Sequence, residues 1–514
     1  MNGASASIRR PMSGALVSAA VFALMFAAAF AAYGHLLPGG FLADDIDYIQ
    51  TARTYSFSDV IRQFLPIKRE LLFYRPMGIL YWWVSFRLFG MEPTGYTALS
   101  ILNHALNGFL VFLLAGLLTG RRAAATACGL LFVLFPANAE AVGWISCVFD
   151  RLCLTFTLAA VYFYTVSRQE GGRLLYAVSL AFFAAALSSK EMALTVPLLL
   201  LLMEYLIFRK PGGWLREAAG KLAPFFVLLA LYFVAREFMF GGIGGYTSGG
   251  EAVHTAWHMD KLGQNSLNLM KVFLFPANRE ALDGTSWASG IFGAACIFGI
   301  VSAAAAYRHK GSRADIRPVL FGIAWFVLSL LPVINLKVNP DSLAGTRLYY
   351  MPAAGLMIAI GAAIAPSVFK APPDRLKAGL LAILIVAMGM FAYLDGGPWN
   401  TAYRIAAYVP KRIKELAPDP PRGSHIFIIG DMDNFRGAFL FRNGLWSALV
   451  EQYGPEKRDW FQYVGLIDRY GRFQNGIASD LEKMTKETKP LYLFQFDRDK
   501  IELNMIFDPA QQDR

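Results

Sequence analysis

The sequence predicts an α-helical polytopic membrane protein that ends in a small α/β domain, and three observations predict it. Of its 514 residues 56% are hydrophobic and only 17% charged, whereas soluble domains carry roughly 45–50% apolar and about 25% charged residues. Several apolar stretches reach the ~20 residues that cross a bilayer. Lys and Arg are also unevenly shared between successive loops. A disordered chain, a nucleic-acid-binding domain and an ordinary cytosolic enzyme are thereby excluded, and no nucleic-acid partner is expected.

Eleven spanning segments are read, near 14–37, 95–119, 123–137, 151–167, 173–188, 193–208, 221–240, 287–307, 316–333, 350–369 and 376–394. The shorter ones tilt, bend or stop short of one surface. The first follows Arg9 and Arg10 and is longer than the apolar run of a signal peptide, so it is read as an uncleaved anchor. The net charge of +11 is 48 Lys and Arg minus 37 Asp and Glu. With the N-terminus inside, Arg121, Arg122, Arg168, Arg173, Arg209, Arg308 and Lys370 fall on inner segments, and the short outer loops hold mainly Arg151, Lys190, Lys337 and Arg347. That positive-inside asymmetry accounts for most of the surplus. An integral protein of a bacterial inner membrane is expected, with a cytoplasmic N-terminus and a periplasmic C-terminal domain.

The organisation follows from this topology. A membrane domain covers 1–395 and an extracytoplasmic α/β domain 396–514. The outer loop 39–94 should carry two helices lying on the membrane surface, the second over YRPMGILYWWVSFRLFG with its apolar-aromatic face and basic flanks. A second outer region, 241–286, opens with the flexible GGIGGYTSGG. In the tail, GSHIFIIGDMDNF reads as a buried strand and a polar turn, GAFLFRNGLWSALVEQYG as a helix and PLYLFQFD as a strand.

The most informative spot is FLADDIDYI, just after the first span. Asp44 and Asp45 are adjacent carboxylates at a membrane surface, where charge is costly unless used or paired. Sequence neighbours do not share a helix face, so a division of labour is expected. One carboxylate would act as a general base while the other orients helices or pairs with a cation. The same pair also fits a helix N-cap, with Asp47 in the first turn. Further polar groups gather at the outer ends of spans far apart in sequence. They are Tyr74 and Arg75; His104 and Asn107, three apart and on one face; Glu140, Asp150 and Arg151; Lys190 and Glu191; Arg347 and Tyr349.

The ordered set ADD, YRP, HxxN, FPxxxEAVxWIxxxxDxL, SKE and RLYYMP resembles the polytopic glycosyltransferases of the GT-C class. The likeness covers about residues 15–395. It is greatest to the membrane part of the transmembrane and tetratricopeptide-repeat-containing O-mannosyltransferases. Protein O-mannosyltransferases and the lipid A aminoarabinose transferases are more distant. Tetratricopeptide repeats do not follow the last span, and the α/β tail is not assigned to these relatives, so neither the sugar nor the acceptor is carried over from them. The resemblance implies a sugar carried on a polyprenyl phosphate, an acceptor hydroxyl entering from outside, and inversion at the anomeric carbon. It implies Asp44 as the general base, with Asp45 the next choice. The departing phosphate needs prearranged cations, for which Arg75, Lys190 and Arg347 are the candidates. Snorkelling to lipid headgroups is the other reading of these three cations. Tyr74, His104, Asn107 and Tyr349 are candidate substrate contacts, although an interhelical hydrogen bond fits His104 equally. For Glu140, Asp150, Arg151 and Glu191 structural pairing with Arg151 or Lys190 is the favoured reading. The acceptor is a glycan, lipid or protein, and membrane lipids are the other partner.

No GxGxxG fingerprint or P-loop points to a nucleotide donor. The DMD at 431–433 lies in the outer tail and reads as a turn. HExxH is absent, and His254 and His258 read as loop residues. No metal site follows, although a divalent cation near Asp44 and Asp45 is compatible with the pair. Cys128, Cys147, Cys153 and Cys296 form no CxxC and read as small apolar residues. A transporter or flippase for a lipid-linked saccharide, or an oligosaccharide ligase or polymerase, is the alternative class. Transporters often show internal repeats and mid-membrane charges, and here the charges lie at one face.

Overall fold

A computed structural model describes residues 14–68, 73–209, 213–242, 247–248, 251–252, 259–282, 315–364, 372–442, 444–467 and 490–507. Among them the chain is mostly helical. Seven helices are long and apolar enough to cross a bilayer: Ala15–Leu36, Pro93–Thr119, Ile145–Glu170, Glu191–Phe208, Trp214–Phe240, Thr346–Ile364 and Ala378–Leu416. An eighth is added if Arg122–Val133 and Pro136–Gly143, bent by 54° at their junction, form one span. Proline causes that bend, since Pro136 lacks an N–H and drives Phe135 out of the helical region. The expected segments 173–188 and 316–333 form shorter apolar helices, Arg173–Leu187 and Arg317–Leu330. Segment 287–307 lies outside the described residues, as do His254, His258 and Cys296. The chain is an integral membrane protein.

The bundle is built from α1 (Ala15–Tyr33), α5 (Pro93–Thr119), α6 (Arg122–Val133), α7 (Ala139–Gly143), α8 (Val148–Glu170), α9 (Arg173–Leu187), α10 (Val196–Met203), α11 (Trp214–Phe240), α13 (Arg317–Leu330), α14 (Tyr350–Ile364) and α15 (Pro372–Leu416). Helices α5, α6, α8 and α14 form its centre, with α1, α9, α13 and α15 packed around them. In lipid, helices gain by backbone approach more than by hydrophobic burial, so small residues sit at crossings. A Cβ on Gly322 of α13 would come within 2.5 Å of the Gly355 carbonyl of α14. One further helix, α12 (Met259–Leu274), falls in the stretch read from sequence as a loop; Asn265 and Asn268 tie it to the carbonyls of Ile334 and Val338.

The first large loop holds three helices rather than two: α2 (Asp45–Thr54), α3 (Phe57–Arg62) and α4 (Pro76–Phe89). Ser56 and Asp59 close a capping box on α3, and Pro76 starts α4. Trp82 of α4, Ile49 of α2 and Phe149 of α8 meet in a small core beneath them.

The division expected at 395/396 falls within one unbroken helix, α15. The sheet region starts at β3 (Ser424–Ile429), after a two-residue ladder, β1 (Thr247–Ser248) and β2 (Glu251–Ala252), earlier in the chain. A short hairpin follows, β4 (Asn434–Phe435) and β5 (Ala438–Phe439), then α16 (Leu445–Tyr453), β6 (Phe461–Ile467), β7 (Leu491–Asp497) and β8 (Glu502–Phe507). The order is β6-β3-β7-β8, with β3 parallel to both neighbours and β8 antiparallel to β7. The helix expected from Gly437 begins only at Leu445, because Gly437 (φ +92°) and Arg442 (φ +40°) take left-handed conformations that end any helix.

Candidate active site

Where α2, α4, α7, α8 and α14 converge, the bundle encloses a cavity of about 290 Å³. Its charged lining is Asp44, Arg75, Asp150, Lys190, Arg347 and Arg442, and Tyr48, Phe73, Trp144, Ser146, Cys147 and Phe149 complete the wall. Asp44, Arg75, Lys190 and Arg347, expected together from motifs about 300 residues apart, therefore meet in one place.

The two neighbouring carboxylates do divide their labour. Asp45 is fully buried. Its Oδ2 accepts the Leu42 N–H at 2.8 Å, and its Oδ1 accepts the Ser146 N–H at 2.9 Å and the Ser146 hydroxyl. Burial pushes its carboxyl up to about 7, against those hydrogen bonds. Asp45 thus fastens the first loop to the start of α8. Asp44 occupies the N-cap position of α2, yet its side chain makes no capping hydrogen bond. Its Oδ1 is buried with no hydrogen-bond partner among the described residues. Burial raises its pKa, opposed by the charges of Arg442, Arg347 and Arg75 in that order. Asp47 is also raised by burial and accepts from the Ser447 hydroxyl.

Each expected cation is held by a carboxylate behind it. Arg75 pairs with Glu191 at 2.9 Å, and Arg236 reaches the same carboxylate at 3.7 Å. Lys190 pairs with Asp150 at 2.6 Å. Arg347 pairs with Glu140, which also accepts the Arg347 N–H at 3.1 Å. The side chains of Arg75, Lys190 and Arg347 are only 11%, 4% and 13% exposed, so they face the cavity and do not snorkel. Aromatic faces fix them further: Arg75 stands 4.3 Å over Phe73, and Arg347 4.9 Å over Trp144. Ion pairs and ring contacts therefore hold these cations in fixed positions around the cavity, the kind of preorganisation that can stabilise developing charge.

The four candidate substrate contacts are placed elsewhere. His104 joins Tyr350 (2.8 Å) and the Val133 carbonyl (2.9 Å), and Asn107 donates to Tyr350 and the Arg151 carbonyl. They form an interhelical network that joins α5, α6, α8 and α14. Tyr349 packs its ring on Phe273, and Tyr74 donates to the Phe64 carbonyl at 3.0 Å. None of the four lines the cavity. Arg151 spends its guanidinium on the carbonyls of Ala141, Trp144 and Ile145 and on Ser100, so it props up the turn before α8 and pairs with none of Glu140, Asp150 or Glu191. Of the pairings expected there, only Asp150 with Lys190 is found as read; Glu140 and Glu191 take Arg347 and Arg75 instead. Sequence reasoning missed Tyr48, Phe73, Ser146 and Phe149 as walls; Ser146 and Phe149 lie inside the motif that also carries Trp144 and Asp150, which was the available signal.

Among the described residues no group of three His, Cys, Asp or Glu side chains could hold a metal ion. Both oxygens of Asp45 are taken by protein donors, so of the adjacent pair only Asp44 turns a carboxylate to the cavity.

Residues 75–235 match the family described as Dolichyl-phosphate-mannose-protein mannosyltransferase. Asp44, Arg347 and the C-terminal domain lie outside that stretch. Protein O-mannosyl-transferase Tmtc1 of Drosophila melanogaster is 33% identical over 177 residues, 34% of this chain and 20% of that protein. The match therefore spans a fifth of the relative's length. Two solved structures are similar. ArnT from Cupriavidus metallidurans bound to undecaprenyl phosphate has a TM-score of 0.46 and 14% identity, covering 94% of this chain and 93% of that one. The S. cerevisiae Pmt1-Pmt2 complex bound to the sugar donor has a TM-score of 0.34 and 16% identity, covering 49% and 38%. The resemblance to polytopic GT-C glycosyltransferases that the motifs carry is thus borne out in sequence.

Proposed function

We propose that this chain is a membrane glycosyltransferase that moves one sugar from a polyprenyl-phosphate donor to an acceptor hydroxyl at the extracytoplasmic face, with inversion. One observation carries the reading. A buried carboxylate oxygen, Oδ1 of Asp44, has no hydrogen-bond partner among the described residues and shares a cavity with prearranged cations. An oxygen in that state is ready to accept a proton, since nothing else occupies its lone pairs.

The reaction balances in a single displacement. The acceptor O–H gives its proton to Asp44, and the oxygen bonds to the anomeric carbon from the face opposite the phosphate. The bond between that carbon and the phosphate oxygen breaks, and its electron pair leaves on the polyprenyl phosphate. One displacement inverts the anomeric centre. Arg75, Lys190 and Arg347 stabilise the departing phosphate. Arginine suits this because its planar fork gives a phosphate two parallel hydrogen bonds. The match to a dolichyl-phosphate-mannose family supports a lipid-linked donor. The raised pKa of Asp44 makes it a stronger base than an ordinary aspartate and requires its ionised form. Activity should therefore rise with pH along a limb lying above the usual carboxylate range.

A screen of radiolabelled polyprenyl-phosphate sugars tests the proposal. Membranes containing the protein are supplied with each donor, and products are extracted into lipid, protein and glycan fractions. Label in one fraction, lost in Asp44→Asn, supports the reading and assigns the acceptor. Movement of the intact donor across vesicles without transfer would instead establish a flippase.

A further inference from the structure

We infer that the C-terminal α/β domain is part of this active site, and that Arg442, which it carries into the cavity, positions the Asp44 carboxylate for transfer. The inference rests on the transferase reading above and deepens it.

Arg442 lies 398 positions after Asp44 in sequence (442 minus 44), yet both line the same cavity. The loop that brings it there grips the peptide just before Asp44. The Ala43 N–H donates to the Leu440 carbonyl at 2.7 Å. On the other flank of Arg442, a Cβ on Gly444 would lie 1.8 Å from the Ala43 carbonyl, so only glycine allows the approach. Ala43 (φ +45°) and Arg442 (φ +40°) are both held in the left-handed region, a strained state that persists where the surroundings over-determine it. Helix α16 then clamps α2: Ser447 donates to Asp47, Gln50 donates to the Ser447 carbonyl, and Arg53 makes two hydrogen bonds to Glu451 at 3.0 and 2.9 Å. Phe439 of the same domain stands between the site's cations, 4.7 Å from Arg442 and 5.6 Å from Arg347. This connection leaves the C-terminal end of β3, the edge at which open α/β sheets place ligands.

The charged groups facing Asp44 come from every element around it. Arg442 acts most strongly, followed by Arg347 before α14 and Arg75 before α4; Asp45 and Asp47 lie on its own turn, and the Lys190–Asp150 pair lies across the cavity.

The test uses the full-length protein in lipid nanodiscs and two readouts. In the first, transfer kinetics are measured across pH for Arg442→Ala and Arg442→Lys. For Arg442→Ala, kcat should fall roughly 100-fold with donor KM within about twofold. Its acidic limb should move to higher pH, and Arg442→Lys should recover part of the rate. The second readout needs no substrate. A carbodiimide reacts with protonated carboxyls, and the Asp44 peptide is followed by mass spectrometry, with Asp44→Asn as the blank. Labelling at neutral pH should increase several-fold in Arg442→Ala. A folded Arg442→Ala with wild-type kcat, pH limb and labelling overturns the inference. Arg442→Gln replaces the alanine variant if the latter does not fold. If no polyprenyl-phosphate sugar is transferred by the wild type, the transferase reading fails, and the labelling still decides whether Arg442 acts on Asp44.

Discussion

Helix α8 carries buried charge at both ends, and the two ends differ in one respect. At its C-terminal end Glu204 accepts from Tyr164 at 2.7 Å and from Arg168 on both oxygens, and Arg168 also reaches Glu217. At its N-terminal end, about 27 Å away along an α-helical rise of 1.5 Å per residue, Asp150 pairs with Lys190 beside the cavity. Both clusters bury carboxylates among cations. Both oxygens of Glu204 have donors, whereas across the cavity from Lys190 the Asp44 carboxylate keeps a buried oxygen without one among the described residues. On the reading proposed above, the satisfied cluster holds the bundle together and the unsatisfied carboxylate beside the cavity is the one available for chemistry.

Substitutions can break or sharpen that contrast. The largest effect is expected from Asp44→Asn, which should leave a folded protein and lower transfer by at least about 1,000-fold, measured as label moved from donor to acceptor. Arg347→Ala comes next. It removes one phosphate donor and should lower kcat/KM for the polyprenyl-phosphate sugar by roughly 100-fold, more than it affects folding; unchanged donor kinetics would remove Arg347 from the phosphate site. At the other end of α8, Glu204→Gln should destabilise by about 1–3 kcal/mol and leave turnover of the folded protein unchanged, read as a lowered midpoint of thermal unfolding beside normal kcat. A loss of kcat there would erase the distinction between the two ends.

A prediction of a different kind, a pH dependence of stability, concerns Asp45. Its folded carboxyl titrates at about 7, above the ordinary value near 3.9. The folded protein therefore holds an extra proton between about pH 4 and 7. Stability from this group is fully present below that window, falls as pH rises through it, and is flat above. Thermal unfolding of Asp45→Asn should lose this part of the pH dependence, and an unchanged slope would assign it to other groups.

Much of this was legible in sequence, for physical reasons. Long apolar helices declare themselves by composition, and motif order placed Asp44, Arg75, Lys190 and Arg347 in one cavity. Choosing between Asp44 and Asp45 by residue physics was impossible, because the choice depends on Ser146, about a hundred positions away, donating to one and not the other. His104 and Asn107 were polar residues at the correct end of a span, but their partners Tyr350, Val133 and Arg151 turn them into interhelical contacts. The strands β6 and β8 and the entry of Arg442 left no periodic signal. The positions of Leu440, Arg442 and Gly444 are defined by what they touch in the bundle, and local pattern carries no record of that.

Helix α15 has a consequence of its own. It runs 45 residues without interruption, about 68 Å at 1.5 Å per residue, more than twice the ~30 Å hydrocarbon core. Such a shaft fixes the azimuth of whatever it carries as well as its height. One residue inserted beyond its last bilayer turn would swing the α/β domain by about 100° and carry Leu440 and Gly444 away from Ala43. Seven would bring it nearly back into phase but lift it about 10 Å. The spacing of the site is therefore written partly in a residue count, along a helix that contributes no wall to the cavity.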